Sequence, residues 1–355
     1  MAIKPDGLAD ALKRGLKPLY AMIGDEPLLA LECADQIRAA ARAQGFTERS
    51  TFTVDTYFKW GELAQATASM GLFGDKKIIE VRMPTGKPGR DGGDALSAWC
   101  ASLDHNTAAL ITLPKPDGAS RKTAWFGALE THALTVACDA LPRGEIGRWV
   151  ATRMRRNQQT TGDDALAFMA ERFEGNLIGA RQEIEKLAML FPAGKIELAQ
   201  IQAVVADVAR YDVFQLGEAV LHADTARVLR MLDGLQAEGE SPVRVHHTLQ
   251  QDLRQLLVVL EATSNGKPLP LALREAGVWG PRQFLFERIA PRLSLSALKP
   301  LLAEAAAVDL ICKGIAQNGL PREPWAALRH LALGLIGAAQ SAKGDKGAQR
   351  LALSA

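Results

Sequence analysis

Leu19–Gly24 (LYAMIG) is an apolar, strand-like run that ends in glycine and leads through Asp25-Glu26-Pro27 into a helix-like stretch. In an α/β domain this is where a phosphate loop would stand. Its chemistry requires G-x-x-x-x-G-K-[ST]: glycines for close backbone approach, a lysine for the β/γ-phosphates, and a hydroxyl for magnesium. Gly24, Asp25 and Glu26 hold the place without that lysine or hydroxyl. Elsewhere Gly86-Lys87 and Gly266-Lys267 precede proline, and Gly194-Lys195 precedes isoleucine. Carboxylates at a helix N-terminus complement its dipole and repel an anion. The expectation is a degenerate phosphate loop with no nucleotide and no other cofactor.

The remaining chemistry-bearing residues point the same way. His246-His247 lies in a helical pattern, where neighbours project about 100° apart, so a surface or half-buried pair is expected rather than a shared metal. Asp163-Asp164 stands at a helix start and reads as a cap. Gly89–Gly93 (GRDGG) reads as a loop tip. No G-x-S-x-G or H-E-x-x-H occurs. Cys33, Cys100, Cys138 and Cys312 lie far apart with no C-x-x-C, and are expected to be small buried residues in a reducing compartment. Neither a catalytic residue nor a metal site is expected.

Two stretches suit binding instead. Met70, Leu72 and Phe73 end a helix, with Leu72-Phe73 held between Gly71 and Gly74 and followed by Asp75-Lys76-Lys77. Projecting from the surface, they could fill a partner's hydrophobic pocket; folded back, they would close the sheet's core. Arg143, Arg148, Arg153, Arg155 and Arg156 gather against Glu145 alone. Such a run is either a solvated helix face or a set of contacts to DNA phosphates, the second reading resting on Arg148, Arg153, Arg155 and Arg156.

The elements that position these residues follow from periodicity. Pro18–Gly24, Thr51–Asp55, Lys77–Pro84, Ala108–Pro114 and Ala133–Asp139 are strand-length apolar runs separated by helical patterns at about 26–44, 61–70, 94–103 and 121–131. Near-continuous apolar strands alternating with helices predict a mostly parallel, helix-covered sheet over residues 1–140. Beyond Leu141-Pro142 the strand signal stops, leaving a small helical domain over 141–210, a larger one over 211–340 and a flexible tail at 341–355. Net charges of −1, +1 and 0 over the three domains exclude a cationic block that coats nucleic acid by itself. With no apolar N-terminal segment and no long apolar run, a cytoplasmic location away from membranes is expected.

In order and spacing the sequence resembles the delta subunit family of the bacterial DNA polymerase III clamp loader, through nearly the whole chain. The resemblance rests on Tyr20–Leu28 (YAMIGDEPL), with Gly-Asp-Glu in place of a phosphate loop, and on Met70-Gly71-Leu72-Phe73. It continues through Trp125–Leu129 (WFGAL), Glu174–Leu177 (EGNL), Glu183–Leu187 (EIEKL), and Ala226–Leu257 with Gly239–Val243 (GESPV) between helices. It implies a degenerate P-loop-type, AAA+-like α/β domain, a helical lid and an all-α collar. It implies a non-catalytic part of the polymerase holoenzyme, a nucleotidyltransferase complex. This part would grip the β sliding clamp through Met70, Leu72 and Phe73 and hold the ring open. The implied partners are that clamp, the gamma/tau motor subunits and delta-prime in a pentameric loader, and primer–template DNA reached through the complex. Ser120-Arg121-Lys122 departs from the Ser-Arg-Cys finger of motor subunits, so Arg121 is not expected to act as one. A competing P-loop ATPase would need a G-K-[ST] or an unrecognised nucleotide site. A motor or delta-prime subunit would show Ser-Arg-Cys and often zinc-binding cysteines, and an unrelated helical scaffold would bury Leu72 and Phe73.

Overall fold

The structure, a computed structural model, describes residues 2–69, 76–206 and 208–352. The chain forms two compact units, Met1–Asp207 and Val208–Ala355.

The first unit opens with α1 (Leu8–Lys13) and β1 (Leu19–Ile23), then α2 (Pro27–Ala43), β2 (Glu48–Thr53) and α3 (Trp60–Ala68). It continues with β3 (Lys77–Arg82), α4 (Gly89–Ser102), β4 (Thr107–Leu113), α5 (Ala124–His132) and β5 (Leu134–Ala137). The five strands form one parallel sheet in the order β2-β3-β4-β1-β5, with Ala21 of β1 level with Ile111 of β4 and Thr135 of β5. Tyr20, Met22, Ile78, Leu110 and Val136 pack on one face with Leu8, Leu29 and Ile37 of α1 and α2. Leu19, Ile79, Val81 and Ile111 pack on the other with Leu63, Leu96, Trp99, Phe126 and Leu129 of α3, α4 and α5. Burial on both faces is why the central strands read as unbroken apolar runs. The parallel, helix-covered sheet expected from the sequence is therefore present.

Two local readings are corrected. β2 starts at Glu48, before the expected Thr51, because this edge strand is mostly exposed and carries its pairing without an apolar signal. The glycine-rich Gly89–Gly93 is no loop tip but the first turn of α4. A Cβ on Gly92 would lie 2.4 Å from Trp60 Nε1, so the small residue there is what lets the indole pack.

The helical half of this unit comprises α6 (Arg143–Arg156), α7 (Asp163–Phe173), α8 (Leu177–Leu190) and α9 (Leu198–Val204), with β6 (Gln159–Thr160) paired to β7 (Gly194–Lys195). Val150, Met154, Met169, Phe173, Leu177 and Leu187 are buried among these helices. The cap of α7 is Gly162 rather than an aspartate; Asp163 and Asp164 lie in the first turn, where their charge still complements the dipole.

The second unit holds α10 (Val213–Leu221), α11 (Thr225–Ala237), α12 (Pro242–Ser264), α13 (Leu269–Glu275), α14 (Pro281–Ile289), α15 (Leu295–Cys312) and α16 (Pro324–Ala352). The stripe Val245, Leu249, Leu253, Leu256 and Leu260 of α12 lies in its core, with Leu257 partly buried beside it. The histidine pair divides: His247 is exposed, whereas His246 is 1% exposed, with Nε2 2.7 Å from the Ala305 carbonyl. Burial holds the His246 imidazole below its usual range, so the neutral ring donates that bond. Among the described residues no helix is long and apolar enough to cross a membrane, and no three His, Cys, Asp or Glu side chains gather as a metal ion would require.

Candidate functional site

Gly24, Asp25 and Glu26 come together where β1 meets α2. Gly24 has φ +149°, and a Cβ there would lie 2.1 Å from the Cys138 carbonyl oxygen, so β1 ends in close contact with the chain leaving β5. Several of the donors an anion would use are already committed. Gly24 N–H donates to Leu113 O at 3.1 Å and Glu26 N–H to Cys138 O at 2.9 Å. Pro27, at the first helical position, has no N–H. Leu28 N–H donates to Glu26 Oε1 at 3.1 Å, making Glu26 the N-cap. The Glu26 side chain is buried, and burial pushes its carboxyl above the ordinary range while the Leu28 N–H opposes the shift. Asp25 is exposed and accepts from Lys115 N–H at 3.0 Å. Glu26 thus takes up a helix N-terminal donor that a phosphate would use, while Asp25 ties the loop to the chain after β4.

Met70, Leu72 and Phe73 lie outside the described residues, but both ends of their segment are held. Lys77, the first residue of β3, directs its ammonium at the C-terminus of α3. It donates to Ala66 O at 2.9 Å, to Thr67 O at 2.8 Å and to Ser69 O. A cation at this end of a helix satisfies carbonyls that have no partner within the helix and complements the dipole. Lys76 donates to Gln44 O at 3.0 Å, its ammonium 5.5 Å from the centre of the Phe46 ring. α3 is fastened to α4 by Trp99 Nε1, which donates to Thr67 Oγ1 at 2.7 Å. An apolar groove of about 580 Å³ runs between these helices, lined by Trp60, Ala64, Ala68, Ala95, Ala98 and Trp99.

The arginine cluster separates by environment. Arg153 is mostly withdrawn from water: Nη1 donates to Glu32 Oε1 of α2 at 2.5 Å, Nη2 donates to Oε2, and the guanidinium lies 4.7 Å from the Trp149 ring centre. Arg143 pairs with Glu171 at 3.1 Å. Arg148 is exposed and only loosely paired with Glu145 at 3.6 Å. Arg155 and Arg156 are exposed, with no ion pair among the described residues. The phosphate-contact reading thus narrows from four arginines to Arg148, Arg155 and Arg156, because Arg153 is engaged internally. The roles of Lys77, known from the sequence only as a flanking charge at a strand start, and of Glu32 emerge from the fold alone. A lone lysine at a strand start and a glutamate inside a helix give no signal until the fold brings their partners to them.

The sequence profile of the family described as DNA polymerase III, delta subunit matches residues 20–139. DNA polymerase III subunit delta of Escherichia coli is 30% identical over 329 residues, covering 93% of this chain and 94% of that protein. The protein of the same description from Haemophilus influenzae is 27% identical over 322 residues, covering 88% and 93%. Among solved structures, the Bacillus subtilis DNA clamp loader delta protein shares the fold, with TM-score 0.52 at 20% identity over 94% of this chain and 99% of that one. Similarity of this extent to the Escherichia coli subunit, along almost the full length of both proteins, shows that the chain belongs to the DNA polymerase III delta subunit family.

Proposed function

We propose that this chain binds the β sliding clamp and opens the ring, or holds it open, for loading onto primed DNA, and that it does so without hydrolysing ATP. The carrying observation is the loop at Gly24–Glu26 in a member of this family, where Glu26 caps α2 and Asp25 is held by Lys115 N–H, which supports a loop without nucleotide. Met70, Leu72 and Phe73 form the clamp-binding element, supported by the anchoring of α3 and β3 on either side. Its ATP-driven partners are the gamma/tau motor subunits, with delta-prime completing the pentamer. Primer–template DNA is met through the complex, with Arg148, Arg155 and Arg156 available to its phosphates.

Burying a leucine and a phenylalanine contributes roughly 3–6 kcal/mol before association costs. That energy favours an open ring only to the extent that the open state binds the element better than the closed state. The test is surface-plasmon binding of the Leu72→Ala/Phe73→Ala protein to the clamp of the same organism. A folded double variant with undiminished affinity refutes the assignment. Titration calorimetry with Mg·ATP is expected to give no binding heat, and a saturable signal would overturn the reading of the loop.

A further inference from the structure

We propose that Glu32 is a positioning residue that fastens the helical half of the first unit to its sheet half. This rests on the proposed reading that the loop at Gly24–Glu26 binds no nucleotide that could do so. Glu32 projects from α2 and receives both guanidinium nitrogens of Arg153 from α6, while Arg181 Nη1 of α8 lies 4.0 Å from its Oε1. One carboxylate therefore ties three helices that belong to different parts of the chain. The Glu32 side chain is 20% exposed and that of Arg153 is 13% exposed, so the pair is screened far less than a surface bridge. The bidentate geometry also fixes the relative orientation of α2 and α6.

Packing around the pair is sparse, which makes the pair decisive. On one side a cleft of about 540 Å³ separates α2 from α6, lined by Leu29, Cys33, Glu145, Arg148 and Trp149. On another side of α2, an apolar cavity of about 340 Å³ lies between the sheet and Ile178 of α8, leaving Leu31 and Ile178 partly exposed. Apolar contact between the halves is interrupted on both sides of the ion pair. Without the Glu32 charge, Arg153 would face Arg156 and Arg181 across a small cavity of about 150 Å³. Glu185 also lines that cavity but is bonded to Arg181 at 2.7 Å, and Arg153 pairs with no acid other than Glu32 among the described residues.

The experiment is hydrogen exchange by mass spectrometry on the full chain, comparing wild type, Glu32→Gln, and the swapped pair Glu32→Arg/Arg153→Glu. In Glu32→Gln, peptides covering 143–156 and 177–190 are expected to exchange about tenfold faster, with β1, β3 and β4 unchanged. The swapped pair is expected to recover most of that protection. Unchanged protection of α6 and α8 in Glu32→Gln overturns the proposal. So does an equal rise over every segment, which would mark a general loss of stability, and so does failure of the swap to restore protection. Neither clamp nor nucleotide enters this measurement, so its failure is distinguishable from failure of the clamp-binding reading or of the calorimetric test.

Discussion

Replacing Lys77 by methionine would keep the apolar stem of the side chain and remove the ammonium that closes α3. The wild-type ammonium donates to Ala66 O at 2.9 Å, to Thr67 O at 2.8 Å and to Ser69 O. Bonds from a charged donor contribute about 1.5–3 kcal/mol each when buried, but these carbonyls stand near solvent and would rebind water. Adding about 0.5 kcal/mol for the helix dipole, a net loss of about 2 kcal/mol confined to the last turn of α3 is expected. If that turn delivers Met70, Leu72 and Phe73 to the clamp in a set position, the ordering cost moves into the binding step. Two kilocalories correspond to roughly thirty-fold weaker affinity. Surface-plasmon binding to the clamp measures that factor, and hydrogen exchange over 60–69 measures the fraying. Lys77→Arg, which keeps the charge, should lose less. Full affinity in Lys77→Met with unaltered exchange of α3 would refute the argument that this lysine sets the element's position.

Two further substitutions test the fold around it. Gly24→Ala must move a Cβ out of contact with the Cys138 carbonyl and adopt a backbone conformation that L side chains avoid, so a loss of at least about 3 kcal/mol in urea unfolding is expected; an alanine protein as stable as wild type would show that β1 and the chain after β5 do not approach so closely. Asp252 of α12 is almost fully buried, and burial pushes its carboxyl up to about 6 despite the opposing pull of Arg282. The unfolded value is near 3.8, so between the two values the folded chain holds a proton that the unfolded chain does not, and stability must fall as pH rises from about 4 to above 6. The stability of wild type relative to Asp252→Asn should thus decline by about 2–3 kcal/mol over that window, and a pH-independent difference would refute the burial argument.

Most of the sheet was legible because its strands are buried on both faces and must be apolar along their whole length. β3, beginning at Lys77, and β4, ending at Leu113, lie close to their expected places for this reason. β2 was displaced because an edge strand needs no such run. Helix α12 was legible from one stripe of leucines and valines, yet the same periodicity could not say that His246 points inward, since a histidine fits either side of the stripe. Gly89–Gly93 misled because glycine lowers helix propensity locally, whereas Gly92 is required by an indole from another helix. The segment with Met70, Leu72 and Phe73 was visible as large apolar residues among glycines, but nothing in it announced the lysine that anchors its approach.

The missing phosphate chemistry was determined by the sequence alone. Gly24, Asp25 and Glu26 stand without the lysine and hydroxyl that a phosphate loop requires, and no folding is needed to see it. What the charged residues do instead was decided only by tertiary structure. Arg153 and Glu32 are 121 residues apart, and Asp25 is 90 residues from the N–H of Lys115 that it binds. A charged side chain is assigned its role by the partner that reaches it and by how little water remains beside it, and both are set by packing rather than by neighbours along the chain. Hence the arginine cluster, uniform in sequence, divides by partner: Arg143 and Arg153 pair with acids of other helices, Arg148 pairs loosely within its own helix, and Arg155 and Arg156 are exposed.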